Sequence, residues 1–430
     1  MIFLDTASQL ADNSSRNNSR AWFTGNVLLL GLISFFADVS GEMMTPVLPL
    51  FIAALPGGSS VIVGLVGGVG DAVANIVKVF SGYLADRTGK RKELIAIGYS
   101  IPFFAKLGIG LSNRWEQVLV LKPTERLGKG IRGAPRDSLL ADSIPFEMRG
   151  QAFGFHRMMD TAGAIIGSFL ALGILVLFFD FVNDEIGILQ IIIIISAFIS
   201  LAAVIPILFL SEDKTVYLKE EKSRTSFVQN LKKLPKDYYK FLIISIFFGL
   251  ANFTILLFIF HTQTVVLGID ESTPPLMLMG IPILIFIWFN IIYTVLSIPF
   301  GKWSDIYGRK AIFAVGLSLF MLTCTGFVFT TDLIFLFIFF GIYGAFNAAT
   351  DGIQKAFAVD LLPSNLKGTG IGLLQTITGF AGIAGGLIAG FLYSKNESSA
   401  FIYGAGMATI ALGLLMLMNF SHQEEKNDKG

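Results

Sequence analysis

The sequence predicts an all-α polytopic membrane protein, with 12 transmembrane helices in two six-helix bundles around a central cavity. Hydrophobic residues make up 53% of its 430 residues and charged residues 15%, whereas soluble globular proteins have about 25% charged residues. Long apolar runs without strand-like alternation recur along the chain, and helices satisfy their own backbone hydrogen bonds in lipid. One loop signature occurs twice, 219 residues apart, which indicates a duplicated membrane unit.

Two sequence echoes set the length of the repeat. The loop signature runs from Gly82 to Arg91 and again from Gly301 to Lys310. An Asp-x-x-Pro pattern beginning at Asp142 recurs 218 residues later. Because the two spacings agree within one residue, we predict a unit of six helices that is repeated once.

Eleven apolar spans have roughly the 20 residues that a helix needs to cross about 30 Å of hydrocarbon. In chain order they cover residues 24–54, 60–83, 94–112, 150–179, 187–210, 239–266, 276–300, 309–329, 332–358, 368–393 and 399–420. The stretch 115–140 would fail a hydropathy scan because it holds eight charged side chains. These are Glu116, Lys122, Glu125, Arg126, Lys129, Arg132, Arg136 and Asp137.

The distribution of Lys and Arg nevertheless identifies 115–140 as a twelfth crossing. Cations concentrate in the segments 82–94, 211–240 and 301–310, which the positive-inside rule places on the cytoplasmic side. An even number of crossings must therefore separate the first of these segments from the second. This condition is met only if 115–140 also crosses the membrane.

The same rule divides the chain into five parts. We expect a cytoplasmic N-terminal tail at 1–20, a six-helix bundle at 21–210, a cytoplasmic connector at 211–238, a second six-helix bundle at 239–420 and a cytoplasmic tail at 421–430. The protein is expected in the cell (inner) membrane, with both termini cytoplasmic.

Charged side chains inside the spans are the candidates for chemistry. Each costs about 2.5–3.5 kcal/mol at mid-membrane and normally faces a cavity or a partner. A rise of about 1.5 Å per residue places Asp38 and Arg126 at one depth, and Asp160 beside Lys129 or Arg132 at a second depth. We expect these groups to pair across helices. Such pairs can be structural salt bridges, functional groups or both.

Four titratable groups are candidates for proton carriage: Asp38, Glu42, Asp160 and His156. A carboxylate that is released from an arginine can take up a proton, which would couple protons to a solute. Glu42 lies four residues after Asp38 and shares its helix face. Histidine has an unperturbed pKa of about 6.5 that suits a relay, and His156 equally suits a position at the cytoplasmic entrance.

The cations of 115–140, with Arg157 beside them, favour an anionic or carboxylate-bearing solute, because guanidinium groups match carboxylate and phosphate. The alternative is that neighbouring acids neutralise these cations. The apolar spans of the second half contain fewer polar residues, of which the main ones are Asn252, Asn347 and Asp351. We expect Asp351 and Lys355 to pair within one helix.

The loop signatures resemble those of the major facilitator superfamily, and the resemblance extends from about Ala21 to Phe420. The matching residues are Gly82, Leu84, Asp86, Arg87, Gly89 and Arg91 in the first copy, and Gly301, Asp305, Gly308 and Arg309 in the second. The second copy departs from the pattern at Trp303 and Ile306. The resemblance implies the superfamily fold and alternating access, and it leaves the substrate unassigned.

Two further motifs carry the resemblance. Residues 126–134 are similar to the family's arginine motif, with Lys129 where Gln is usual and Arg132 where Gly is usual. The glycines of the antiporter motif are matched by Gly154, Gly163 and Gly167. Its Pro is replaced by Ser168 and its last Gly by Ala171. The arginine and antiporter motifs are therefore partial matches.

The two signature aspartates, Asp86 and Asp305, are expected to act as gate latches. A carboxylate at the cytoplasmic end of one helix can meet the positive N-terminus of a neighbouring helix. That contact would break when the bundles rock apart. The alternative is a tight loop that only orients the helices.

These patterns predict secondary active transport of a small organic solute by alternating access, coupled to protons, with a slight preference for export by antiport. A proton-coupled importer of an organic anion is the alternative within this class. A transport-inactive sensor and a lipid translocator are the alternatives outside it. The nearly complete first loop signature and the costly intramembrane charges argue against the sensor.

No enzymatic activity is expected, since the three His are far apart in sequence and no Gly-rich phosphate loop occurs. We therefore expect no cofactor, no metal site and no nucleic-acid partner. The expected partners are the lipid bilayer, a small-molecule substrate and the proton gradient. The protein is expected to be a monomer.

Overall fold

The computed structural model describes residues 24–88, 90–143, 149–182, 184–211, 233–269, 274–329, 332–363 and 366–420. Regular structure in these ranges is helical, without a β-strand in any of them. Eleven stretches are long and apolar enough to cross a membrane. The prediction of an all-α polytopic membrane protein is confirmed.

The described part of the first half contains seven α-helices that make six crossings. In order they are α1 (Gly25–Met44), α2 (Leu48–Ala54), α3 (Ser60–Thr88), α4 (Arg91–Gly110), α5 (Trp115–Asp142), α6 (Arg149–Phe178) and α7 (Glu185–Ala202), with a 3-10 turn at Ile205–Phe209. The first apolar span is thus two helices, because a turn at 45–47 separates α1 from α2 and Pro49 lies in the first turn of α2.

The second half repeats this plan. Its helices are α8 (Lys236–Ala251), α9 (Ile255–Ile269), α10 (Pro275–Tyr307), α11 (Arg309–Phe329), α12 (Leu333–Asp360), α13 (Lys367–Lys395) and α14 (Glu397–Leu417). Asn252 caps the C-terminus of α8, and a short break separates α8 from α9 within one crossing. Both halves therefore interrupt their first crossing, as a duplicated unit would.

The charged helix predicted from topology is α5. It is absent from the apolar spans of the described chain, yet it packs closely against α3 on one side and α4 on the other. Gly130 permits the contact with α3, since a Cβ atom at this position would lie 2.8 Å from the Ala74 carbonyl oxygen. Protein therefore encloses much of α5, and its polar side chains have partners other than lipid.

The second half has an aromatic core. The ring of Tyr343 stacks on Phe258 at 4.6 Å between centroids, and it lies 5.6 Å from Phe346. Cys324 is fully buried in the same core, where a free cysteine packs as a small apolar residue.

The halves meet where α3 packs on α13 and α6 packs on α10. We call the end of the molecule that carries the α3–α4 and α10–α11 loops the signature end, and the other the opposite end. At the opposite end, the Ser60 hydroxyl donates a 3.2 Å hydrogen bond to the Gly390 carbonyl oxygen. One turn further in, a Cβ atom at Gly386 would lie 2.7 Å from the Gly64 carbonyl oxygen. The two backbones are thus in direct contact.

An apolar cluster fills the same end. It combines Phe51 and Val63 of the first half with Leu256, Met279 and Ile283 of the second, each no more than 5% exposed. The halves are therefore sealed against each other at the opposite end.

Candidate functional site

A cavity lies between the halves, on the signature-end side of their sealed contact. It consists of two adjoining chambers that share the wall residues Asn75, Lys129 and Thr378. We name them the Asp71 chamber, of about 340 Å³, and the Asp38 chamber, of about 430 Å³. Helices α3 and α5 of one half and α12 and α13 of the other contribute to both chambers.

Nine of the eleven cavity residues predicted from the sequence lie in this wall. They are Asp38, Arg126, Lys129, Arg132, Arg157, Asp160, Asn252, Asn347 and Asp351. The structure thus brings residues of seven helices together around one space. Lys129, Arg157 and Asp351 are exposed to it.

Sequence analysis missed several uncharged wall residues. They are Asn75, Thr254, Thr350, Gln354, Gln375 and Thr378. Amides and hydroxyls in an apolar span lack the charge that made the other residues stand out, and hydroxyls are common in membrane helices for packing reasons. Lys78, which was not among the predicted cavity residues, also lies in the wall.

Glu42 and His156, also predicted for the cavity, are not part of its described wall. Glu42 lies near the end of α1, beside the fully buried Met43, where the halves are sealed. His156 is only 4% exposed, and its Nε2 lies 2.6 Å from the Ser34 hydroxyl. Its Nδ1 lies 3.5 Å from Asp160 Oδ2, so His156 stands directly behind a cavity carboxylate.

The predicted pair of Asp38 with Arg126 does not form among the described side chains. Arg126 instead places Nη2 3.6 Å from Asp71 Oδ1 and Nε 3.7 Å from Glu125 Oε2. Glu125 also forms a 2.9 Å ion pair with the buried Lys122. Residue spacing gives the depth of a side chain along a helix but not its direction around the helix axis, and the direction decides the partner.

Asp38 and Asp160 face the Asp38 chamber, and neither forms an ion pair with Lys or Arg within the described part of the chain. The predicted pairing of Asp160 with Lys129 or Arg132 is therefore wrong. The two carboxylates interact electrostatically with each other and with wall cations, Asp38 with Lys129 and Arg132, and Asp160 with Arg136 and Arg157.

One polar link spans the cavity from half to half. Arg157 Nη2 of α6 donates a 3.0 Å hydrogen bond to the Tyr293 hydroxyl of α10, which donates a 2.9 Å bond to Asp351 Oδ2 of α12. Asp351 pairs with Lys355 at 3.4 Å, as their spacing predicts. Tyr293 gave no sequence signal, because a tyrosine in an apolar span is ordinarily a packing residue.

The second loop signature forms an ionic cluster at the signature end. Arg309 pairs with Asp305 one turn earlier and, at 3.4 Å, with Asp360 at the end of α12. Gly308 has a φ of +88°, a conformation that favours glycine. Gly301 has open space around its Cα, and Arg91 of the first signature is 8% exposed. The predicted latch residues Gly82, Asp86, Arg87 and Gly89 lie outside the described residues and side chains.

The glycines predicted on the fifth crossing hold α6 against α1. A Cβ atom at Gly163 would lie 2.5 Å from the Phe35 carbonyl oxygen, and one at Gly167 would lie 2.9 Å from Val39 Cα. Gly154 lies outside the described side chains. These glycines therefore act in packing between helices of one half.

The titratable residues of the described chain do not form a metal site, since no group of three or more His, Cys, Asp or Glu is arranged to hold a metal ion there. The cavity is instead lined by both signs of charge and by neutral hydrogen-bonding groups. This is a wall that can bind a polar solute.

Comparison with known proteins agrees with this architecture. The model of the Major Facilitator Superfamily matches residues 30–292 and 283–430. This chain belongs to the Major Facilitator Superfamily. A second superfamily member, an uncharacterized MFS-type transporter of Methanocaldococcus jannaschii, is 36% identical over 406 residues, which cover 94% of this chain and 98% of the relative. Multidrug resistance protein 2 of Bacillus subtilis is 24% identical over 426 residues, which cover 94% of this chain and 96% of that relative.

Solved structures show the same superfamily fold. The nucleoside transporter NupG aligns with a TM-score of 0.72 at 15% identity, over 91% of this chain and 98% of that chain. A D-xylose-proton symporter aligns with a TM-score of 0.71 at 14% identity, over 94% of this chain and 99% of that chain. This superfamily member is a membrane-spanning transporter and not an enzyme.

Proposed function

We propose that this chain is a secondary active transporter that carries a small organic solute across the inner membrane by alternating access, coupled to protons. One observation carries the proposal: a charged cavity lies between two repeated halves, on one side of a sealed contact between them. Rocking of such halves around a fixed cavity exposes it to each side in turn. With the positive-inside orientation, both termini are cytoplasmic and this conformation faces the cytoplasm. One chain supplies all of the described wall, which supports a monomer as the working unit.

Asp38 and Asp160 are the candidates for proton carriage. Inserting an acidic residue into a membrane helix costs free energy, and acids that face a cavity there usually take part in transport. Both lie in the wall of the Asp38 chamber without a direct cationic Lys or Arg partner in the described structure. Protonation of either removes negative charge near Lys129, so the proton state changes the affinity for a charged solute.

The wall supports a hydrophilic solute rather than a lipid. Both chambers combine charged groups with amides and hydroxyls such as Asn75, Gln354 and Thr378. A lipid path requires a continuous apolar side, whereas polar side chains of both halves line both chambers.

Two observations support two directions of transport. The name of one relative, the multi-drug resistance efflux pump PmrA of Streptococcus pneumoniae, supports export, and the partial antiporter motif points the same way. The excess of cations in the wall supports the second candidate, import of an organic anion together with protons. Coupling to protons is common to both.

Proteoliposomes that enclose a pH-sensitive dye test this proposal. A panel of succinate, citrate, phosphate, glucose and ethidium is added under an imposed pH gradient of either sign. We expect at least one compound to move protons through the protein, inward with the solute for import and against it for export. Asp38→Asn and Asp160→Asn should abolish this proton movement, whereas Asp180→Asn at an exposed turn should retain it. Solute movement that is indifferent to the pH gradient would reject proton coupling.

A further inference from the structure

We infer that the solute is an anion whose carboxylate, phosphate or sulfonate group binds a cationic cluster formed by Lys78, Lys129 and Arg132. This inference rests on the proposed function, because it assigns a substrate class to the same cavity. It adds Lys78, which the sequence did not single out, and it distinguishes the binding cations from the wall cations that already bond to other side chains.

The cavity wall has a surplus of positive charge. Its cations are Lys78, Arg126, Lys129, Arg132, Arg136, Arg157 and Lys355. Its acids are Asp38, Asp71, Asp160 and Asp351. Seven cations thus face four acids in the described wall. A cavity lined by an excess of one sign concentrates solutes of the opposite sign.

Four of these cations already have acidic or hydroxyl partners. Arg126 pairs with Asp71, Arg136 with Asp137 and Lys355 with Asp351. Arg157 donates to the hydroxyl of Tyr293. Lys78, Lys129 and Arg132 form no ion pair within the described chain. These three cations therefore lack a direct carboxylate partner, and Asp38 and Asp160 in the same chamber offset only part of their charge.

Close packing of α3 on α5 brings the three cations together. Lys129 and Arg132 lie three residues apart, on one face of α5. The Lys78 side chain crosses α5 at Gly133, where a Cβ atom would lie 3.3 Å from Lys78 Cε. Any larger residue at 133 would press on this lysine. The guanidinium of Arg132 is fixed over the ring of Tyr99 at 4.1 Å from its centroid.

The cluster suits an oxyanion. A guanidinium offers several donors in one plane, and the two ammonium groups add compact charges that can adapt to the ligand. Asp38 and Asp160 share the chamber, so protonation of either strengthens anion binding. That sign of coupling is the one that symport of an anion with protons requires.

The test measures which charge the cavity attracts, using a cysteine at a neutral wall position. Gln375→Cys places the reporter on α13 in the Asp38 chamber, and Asn113→Cys places a second reporter at an exposed position outside the cavity. The native Cys324 is fully buried and serves as the unreactive background. Rates are compared for methanethiosulfonate reagents that carry either an anionic sulfonate or a cationic trimethylammonium group.

The ratio of the reaction rate with the sulfonate reagent to that with the trimethylammonium reagent should be about tenfold higher at Gln375→Cys than at Asn113→Cys. Lys78→Gln and Lys129→Gln should each reduce this preference, whereas Lys240→Gln, outside the cavity, should not. Succinate or inorganic phosphate should slow the reaction, and the one that protects identifies the carboxylate or phosphate chemistry. Equal preference at both reporters, unchanged preference in both lysine variants or protection by neither anion would overturn the inference. The measurement needs no transport, so its failure leaves the proton test of the proposed function standing.

Discussion

Arg157 of the first half donates a 3.0 Å hydrogen bond to the hydroxyl of Tyr293 in the second half. The same hydroxyl donates to Asp351 at 2.9 Å, so one tyrosine connects a cation and an acid that belong to different halves. Because the link crosses the cavity, a rigid-body movement of the halves has to break or rearrange it. The link therefore contributes to the energy difference between conformations.

Tyr293→Phe should weaken the conformation described here. Hydrogen bonds to charged groups contribute about 1.5–3 kcal/mol, and 1.4 kcal/mol is a factor of ten in population. We expect the ratio of this conformer to the other to fall by about tenfold in distance measurements on spin-labelled protein. Tyr403→Phe is the control, because its buried hydroxyl has no hydrogen-bond partner in the structure. Equal ratios in the two variants would exclude a conformational role for the link.

Gly167→Ala should destabilise the first half. The added methyl group would press on Val39 of α1, and overpacking typically costs about 1–3 kcal/mol. We expect a lower melting temperature in detergent. Gly173→Ala, on the same helix with no atom within 4 Å of the new Cβ, should be neutral or slightly stabilising, since Ala favours helix. Similar losses in both variants would contradict the packing role.

Ser40→Ala should lower the stability of the protein, because it removes a hydrogen-bond acceptor from a buried lysine. Lys106 is 1% exposed, and its Nζ donates a 2.6 Å hydrogen bond to the Ser40 hydroxyl. Without that acceptor the ammonium loses this hydrogen bond, a loss of about 1–3 kcal/mol. The melting temperature should fall further than in Ser200→Ala, whose hydroxyl bonds only to a carbonyl in its own helix. Lys106→Met combined with Ser40→Ala should recover stability, because the charge is removed as well.

Asp86→Asn and Asp305→Asn should reduce transport with little loss of folded protein. The Asp305 side chain is 63% exposed, and exposed ion pairs contribute about 0–1 kcal/mol to stability. Its pairing with Arg309 can therefore matter for gating far more than for folding. Proton movement in proteoliposomes and the yield of monodisperse protein would be compared with those of Asp180→Asn. Full transport by both variants would eliminate the latch and leave a loop that only orients helices.

The sequence was sufficient for the fold and for most of the charged residues of the cavity wall. The positively charged loops have to lie on one side of the membrane, so an even number of crossings must separate them. This condition identified α5 as a crossing, although its hydropathy is too low for a transmembrane span. Charge pairing was not predictable. Depth along a helix follows from residue spacing, whereas Arg126 meets Asp71 rather than Asp38 because of the rotation and packing of α3 and α5. Glu42 lies outside the described wall, one turn beyond Asp38 on α1 and next to Met43 of the sealed cluster.

Lys78 and Tyr293 illustrate a second limit. Lys78 was not predicted for the cavity, and its place in the wall depends on the small residue at Gly133 of another helix. Tyr293 acts through a hydroxyl whose partners come from both halves. Both relationships join residues that are far apart in the chain, so a local sequence pattern cannot predict them.

Alternating access around the charged cavity is tested most directly by distances between the halves at both ends of the molecule. Spin labels at Asn113→Cys and Lys395→Cys report on the opposite end, and labels at Lys90→Cys and Lys302→Cys report on the signature end; all four positions are exposed. We predict two populations whose ratio changes with pH, in which the opposite end separates as the signature end closes. A single, pH-independent distance at both ends would contradict alternating access.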